Sequence, residues 1–534
     1  MNKRLVWVVS ILAVLVIGIG GGLVAALVAG DDNESDPPDD AGETDGSSSS
    51  APPPQESSSA APQGPTGIVP EGLEDYYAQA LDWTDCGDNQ CATLTVPLDY
   101  LEPDGETIDL ALERVPAADS ENRVGSLVVN PGGPGAPGTS MAENSSSYFP
   151  QDLLDRVDIV AFDPRGTGES APVDCVSDAE LDAFIAQDPT PDDAAEIAEF
   201  TDTGKEFFEG CVANSGDVAA HISTVEAARD MDVLRSALGE EQLSYLGFSY
   251  GTTLGSTYAS LFPKSVGRFV LDGATDPLLD AKGDALSQAA GFQTALNAYI
   301  DDCLADGDCF LGADADEARA TVSGLLDSIE ENPLPTDQDG RDLQAGNAFY
   351  GVAYPLYSKE AWSFLDQALQ EGLDGDGSTL LLLSDLYGSR NPDGSYSDNS
   401  LEAFPSINCL DDPTALPADE VPALYPEFEK ASPTFGRFFA WGLSGCLGVA
   451  VKASEPAPKI EAPGAAPILV VGTTRDPATP YEEAVALAEQ LDSGVLLTRD
   501  GDGHTGYNQG NECIDDAVEG YLLDGEVPAD GTTC

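Results

Sequence analysis

Leu243-Ser-Tyr-Leu-Gly-Phe-Ser-Tyr-Gly-Thr-Thr-Leu-Gly255 reads as a short apolar strand, a Gly247-x-Ser249-x-Gly251 turn and the first turn of a helix. A serine on such a strand-to-helix bend is held in a strained backbone conformation. Its hydroxyl then projects above a sheet edge, and flanking glycines let neighbouring backbone pass close. In a Gly-rich chain of 534 residues, three fixed letters match by chance roughly a few tenths of a time, so the turn needs partners elsewhere. A serine nucleophile requires a base, a group that orients the base, and donors for the oxyanion.

The chain has only two histidines, so the search for a base is short. His504 lies in Arg499-Asp-Gly-Asp-Gly-His504, a Gly-rich loop after the strand expected at 494–498. His221 precedes a helix, where capping or exposure accounts for it. For the acid, Asp476 in Gly472-Thr-Thr-Arg-Asp-Pro-Ala-Thr-Pro480 follows a buried strand, and Asp272 at the end of strand 268–272 is a rival. Asp500 and Asp502 read as solvated loop charges. The order Ser249, Asp476, His504 is that of an α/β-hydrolase rather than of other serine-protease folds. The oxyanion donors expected are the amide of Tyr250 and, from the turn Pro131-Gly-Gly-Pro134, the amide of Gly133.

Strand and helix signals alternate around these motifs. Segments 91–100 and 107–112 alternate as a hairpin; 125–129, 157–162, 268–272 and 466–472 read as buried strands, and 224–238 as a helix. This rhythm predicts a mostly parallel sheet with helices on both faces. Between 278 and 435 helical patterns such as 285–304 and 315–331 dominate, which predicts an inserted helical cap. The expected organisation is a core over 68–277, the cap over 278–435, and the rest of the core over 436–534.

Residues 1–30 open with Lys3 and Arg4 and continue as an uncharged apolar run over 5–29, long enough to cross a bilayer core of ~30 Å. They are expected to act as a membrane anchor or signal peptide, with everything after them exported. Residues 31–67, rich in Asp, Glu, Ser and Pro, lack the large apolar groups that offset ordering entropy and are expected to be a disordered tether. The ten cysteines fall as neighbours, Cys86/Cys91, Cys175/Cys211, Cys303/Cys309, Cys409/Cys446 and Cys513/Cys534, which suits disulfides in an oxidising compartment. No C-x-x-C pair and so few histidines argue against a zinc site, and no cofactor is expected. Net charge is −73, which argues against nucleic acid as a partner and for a solvated acidic surface.

Together, Asn130-Pro-Gly-Gly-Pro-Gly135, Phe162-Asp-Pro-Arg-Gly-Thr-Gly-Glu-Ser170, Gly247-Phe-Ser-Tyr-Gly-Thr252, Asp476-Pro-Ala-Thr-Pro480 and Gly503-His504 resemble the secreted bacterial tripeptidyl aminopeptidases, α/β-hydrolase peptidases related to prolyl aminopeptidases. The likeness covers roughly 73–534. It implies Ser249 as nucleophile, Asp476 as orienting acid, His504 as base, and peptide or protein N-termini as substrates under a closing cap. After Cys446 this chain has Leu-Gly-Val-Ala where the family often carries an aromatic. Asp411, in Ile407-Asn-Cys-Leu-Asp411, looks like a family acidic position that binds the substrate amine; a plain surface acid is the competing reading. A carboxylesterase on the same scaffold and a catalytically silent envelope-binding protein are the alternative functions. Arg165 is expected to brace the site through an ion pair.

Overall fold

The computed structural model describes residues 69–305 and 307–534. The apolar segment 1–30 and the acidic tether 31–67 lie outside them. No helix among the described residues is long and apolar enough to cross a membrane.

Ten strands form one sheet: β1 (Thr84–Cys86), β2 (Asn89–Pro97), β3 (Thr107–Val115), β4 (Gly125–Asn130), β5 (Val157–Phe162), β6 (Leu243–Phe248), β7 (Val266–Asp272), β8 (Ile468–Arg475), β9 (Gly494–Asp502) and β10 (Thr532–Thr533). Their spatial order is β1-β2-β3-β5-β4-β6-β7-β8-β9-β10. The first three strands pair antiparallel, β3 meets β5 antiparallel, and every pair from β5 through β4 to β10 is parallel. This is the α/β-hydrolase architecture.

The parallel strands are apolar on both faces because helices cover both. Val128, Val160, Tyr245, Phe269, Leu271 and Val470 point into one layer, beneath helices Thr224–Ala237 and Tyr250–Leu261. Their chain neighbours Val129, Ile159, Leu246, Val270 and Leu469 point into the other, against helix Glu512–Asp524. The period of two sorts each strand between the layers.

Between β7 and β8 there is no named strand among the described residues. Helices Ala281–Ala305, Ala315–Glu331, Ala345–Ala353, Trp362–Leu373, Ser378–Tyr387, Ser400–Asp411 and Gly436–Gly442 fill this stretch. Most of their apolar residues form a third cluster with its own core, including Leu296, Val322, Val352, Leu365 and Trp441. The exception is Ser400–Asp411, whose Ala403, Ile407 and Leu410 join the sheet core. That helix is thereby built into the scaffold. Cysteines pair Cys86–Cys91, Cys175–Cys211, Cys303–Cys309, Cys409–Cys446 and Cys513–Cys534.

Candidate active site

Register brings the site residues to one rim. Asn130 of β4 pairs with Gly247 of β6, Phe248 with Asp272 of β7, and Asp272 with Val471 of β8. The residues just past these carboxyl ends are Gly132–Gly133, Ser249, Gly273 and Asp476, and His504 follows the end of β9. Crevices beyond the carboxyl ends of parallel strands are where open α/β sheets bind ligands.

Ser249 has φ 55° and ψ −125°, a region that side-chain-bearing residues rarely adopt. Such strain is held only where the surroundings over-determine it. Here the Ser249 amide donates to the carbonyl of Asp272 at 2.9 Å, and the Thr252 amide and hydroxyl donate to the Ser249 carbonyl at 2.8 and 2.6 Å. The bend also requires its glycines: a Cβ on Gly247 would meet the Gly251 carbonyl oxygen at 2.5 Å.

His504 and Asp476 are buried. Nδ1 of His504 lies 2.8 and 2.9 Å from the two carboxylate oxygens of Asp476. Amides of Ala478 and Thr479 donate to Oδ1 of Asp476, and the amide of Thr505 donates to Oδ2. An acid gripped by three backbone amides presents one fixed edge to the imidazole and sets its tautomer, leaving Nε2 for chemistry. The helical stretch completes the cage. The His504 amide donates to the Tyr357 carbonyl at 2.8 Å, and the Tyr357 ring stands edge-on to the imidazole at 5.4 Å. Helix Ala281–Ala305 passes so close to the Asp476 turn that a Cβ at Gly291 would meet the Pro477 carbonyl at 2.5 Å.

Opposite lies the Gly132–Gly133 turn, with φ of 99° and 106°. A Cβ at Gly132 would sit 3.0 Å from Cβ of Ser249 and 3.2 Å from the Tyr250 nitrogen. The Gly132 amide is taken by Oδ1 of Asn130 at 3.0 Å. The amides of Gly133 and Tyr250 have no acceptor among the described residues.

A family model described as TAP-like protein matches residues 432–534. Serine protease Hip1 of Mycobacterium tuberculosis is 39% identical over 482 residues, spanning 86% of this chain and 92% of that protein. Tripeptidyl aminopeptidase of Streptomyces lividans is 32% identical over 481 residues, 85% of this chain and 86% of that protein. The chain belongs to the tripeptidyl aminopeptidase family of α/β-hydrolases. It is a serine hydrolase. Carboxylesterase B of M. tuberculosis, 38% identical over 459 residues, covers 83% of this chain and 86% of its own length.

Within this family framework the rival acid has a different neighbourhood. Asp272 accepts the amides of Gly506 and Tyr507, both at 2.8 Å, on the loop that carries His504. Burial pushes its carboxyl up to about 7, against the pull of those two amides. Asp411 lies at the end of helix Ser400–Asp411 and accepts the Thr224 amide at 2.9 Å and hydroxyl at 2.5 Å. The same hydroxyl is 2.5 Å from the phenol oxygen of Tyr250, the residue after Ser249. Asp411 is exposed as a residue, yet enough protein surrounds its carboxylate to raise it to about 6, burial outweighing the two Thr224 bonds. Asp411 is therefore linked to Tyr250 through the Thr224 hydroxyl.

Arg165 is fully buried and makes a two-pronged pair with Asp230, both contacts at 2.7 Å, while donating to the carbonyls of Pro97, Leu98 and His221. It ties β2 and helix Thr224–Ala237 to the loop after β5. Near it, ligand-type atoms of Asp99, His221 and Glu226 lie within 4.8 Å of one another. Glu226 is already engaged by His221 Nδ1 at 2.8 Å, Ser223, Ser454 and, at 3.8 Å, Arg165, so the group reads as an ion-pair hub.

Sequence reasoning missed Thr224, Tyr357 and the anchoring role of Asp272. No motif marks Thr224 or Tyr357, because each acts through a contact with a residue remote in the chain. Asp272 carried the signal of an acid at a strand end, but that signal does not tell an imidazole partner from a loop anchor.

Proposed function

We propose that this chain is an exported serine exopeptidase that releases short peptides, tripeptides among them, from free N-termini through an acyl-enzyme. The observation that carries the reading is the buried His504–Asp476 pair standing at the same sheet rim as the strained Ser249. Nε2 of His504 takes the proton of the Ser249 hydroxyl as Oγ bonds to the scissile carbonyl carbon. The oxyanion is received by the amides of Gly133 and Tyr250, which have no other acceptor among the described residues. The C–N bond then breaks, and the proton on His504 passes to the departing amine. A water that gives its proton to His504 attacks the acyl carbon and frees Ser249.

Asp411 is read as the amine receptor. A carboxylate tied through Thr224 to Tyr250 suits an ammonium a few bonds back from the carbonyl attacked by Ser249. The likeness to a tripeptidyl aminopeptidase supports this substrate class, and five disulfides support an exported, oxidising setting.

The experiment pairs a fluorophosphonate probe with Ser249→Ala, then compares peptide anilides with free and N-acetylated amines. Labelling of the parent but not the variant is expected, with a loss of at least about 10³-fold in kcat. Free-amine peptides should be strongly preferred. Activity surviving in Ser249→Ala would end the assignment. The likeness to carboxylesterase B favours a second reading as an esterase, for which p-nitrophenyl esters would be turned over and free and blocked peptides alike refused.

A further inference from the structure

Five tyrosines gather between the helical stretch and the catalytic rim. Tyr350 stacks on Tyr387 at 4.8 Å, Tyr354 meets Tyr387 edge-on at 6.3 Å, and Tyr357 stands against His504. Tyr357 is close enough to Tyr350 and Tyr387 for each to disfavour its ionisation, and Tyr148 stands in the same relation to Tyr354. Tyr148 ends the helix Ser145–Tyr148, and its carbonyl accepts from the Asn508 side-chain amide at 3.2 Å, so the group borders the loop that carries His504.

Their hydroxyls set this group apart from packing aromatics. Buried phenols normally find a hydrogen-bond partner. The Tyr148 hydroxyl is sealed from solvent and has no partner among the described residues. Tyr350, Tyr357 and Tyr387 are half-buried, and their hydroxyls bond to nothing among the described residues. All five phenols are raised by burial and stay neutral at working pH. The result is a neutral group of aromatic rings beside the base, with hydroxyls on Tyr350, Tyr357 and Tyr387 that are unbonded among the described residues.

We propose that Tyr148, Tyr350, Tyr354, Tyr357 and Tyr387 line a pocket for the side chain of the residue just after the scissile bond, and that it selects a large aromatic or apolar side chain. The inference rests on the triad reading. His504 hands its proton to the leaving nitrogen, so the leaving residue must sit against His504, where Tyr357 is pinned. The free amine lies at the other end, with Asp411 beside Tyr250. A peptide running from Asp411 across Ser249 therefore delivers its next residue to the tyrosines. Their rings give apolar area and edge or face contacts, and the hydroxyls of Tyr350, Tyr357 and Tyr387 serve the backbone or a phenol of the substrate. An acidic side chain finds no cation among these five groups and is rejected.

The test uses free-amine peptides identical up to the cleaved bond, with Gly, Leu, Phe or Asp after it. The parent enzyme should favour Phe over Gly at least tenfold in kcat/KM, within the range an apolar pocket supplies. Tyr387→Ala and Tyr350→Ala should bring that ratio below about threefold, whereas Tyr387→Phe, which keeps the ring stack, should retain it. A flat series in the parent, or variants that instead alter preference for the residue before the bond, overturns the pocket. If no peptide is cleaved, the peptidase reading is at fault. The pocket is then read through inhibition of nitrophenyl ester hydrolysis by phenylalanine amide against glycine amide. Tenfold tighter inhibition by the former upholds it, and equal inhibition overturns it.

Discussion

The carboxylate of Asp272 holds the amide of Tyr507 at 2.8 Å across 235 residues of chain, and its other oxygen holds the amide of Gly506. The loop bearing His504 is thereby pinned to β7 as well as to Asp476. Asp272→Asn presents an NH₂ group to one of those amides, so the loop should loosen. A displaced base costs roughly 10- to 100-fold in kcat/KM. The sign of the pH effect follows from the shift. Burial raises the carboxyl from 3.8 to about 7, so the folded chain keeps a proton that the unfolded chain releases over that interval. The contribution to stability is complete below about pH 4 and is lost as pH rises through 7. Since Asn does not titrate, the Tm gap between parent and variant should shift in favour of the variant from pH 5 to 8. A gap constant across that range, read in thermal melts, would refute the raised carboxyl.

Asp411 holds an ammonium only when ionised, and its carboxyl is raised to about 6. KM for free-amine peptides should therefore climb as pH falls through 6, with no such rise for an ester that lacks an amine. Asp411→Asn removes a charge-assisted bond of about 1.5–3 kcal/mol, which is roughly 10- to 150-fold in KM for the peptides. Equal effects on peptide and ester would make Asp411 a structural acid only.

Gly132 admits no side chain. Its φ is +99°, and a Cβ would meet the Phe248 carbonyl oxygen at 2.4 Å. Gly132→Ala must push the turn away from Ser249, separating the Gly133 amide from the Tyr250 amide. Loss of one oxyanion donor costs about 10²- to 10³-fold in kcat. Fluorophosphonate labelling should slow in parallel; a fully active variant would remove this turn from the oxyanion site.

Arg165 and Asp230 form a pair with no exposure. Arg165→Met leaves the Asp230 carboxylate with only the Tyr100 hydroxyl and takes a donor from three carbonyls, at a cost of about 3–5 kcal/mol. Urea unfolding should show that loss, and a change under 1 kcal/mol would mean the pair is dispensable.

Much of the scaffold was legible along the chain. β4, β5, β6, β7 and β8 are strands of six to eight residues built around short apolar runs such as Leu127–Val129, Ile159–Phe162, Phe269–Leu271 and Ile468–Val471, and burial on both faces writes such runs directly into sequence. Helix Thr224–Ala237 shows through its periodicity and closes at Gly239, as expected. β1 and β10, of three and two residues, carry no period to read. The helix Ala194–Ser215 escaped because only Phe207, Phe208 and Cys211 of its residues are buried, which leaves no apolar stripe along most of its length. Neighbouring cysteines foretold the pairs, because each cysteine joins its neighbour along the chain, at separations from 5 to 37 residues.

At the site, chain order and scarcity named Ser249 and His504, since the turn around one is dictated by local backbone chemistry and the other is one of two histidines. Which carboxylate faces the imidazole was not local information. Asp272 and Asp476 both end apolar strands, and only the packing of the β8 turn against the His504 loop gives the imidazole to Asp476 and the loop amides to Asp272. Thr224, Tyr148 and the tyrosines of the helical stretch likewise acquire partners only when distant segments meet. Periodicity and turn chemistry act between near neighbours and can be read in one dimension; hydrogen bonds and ring contacts between remote residues exist only once the chain has packed.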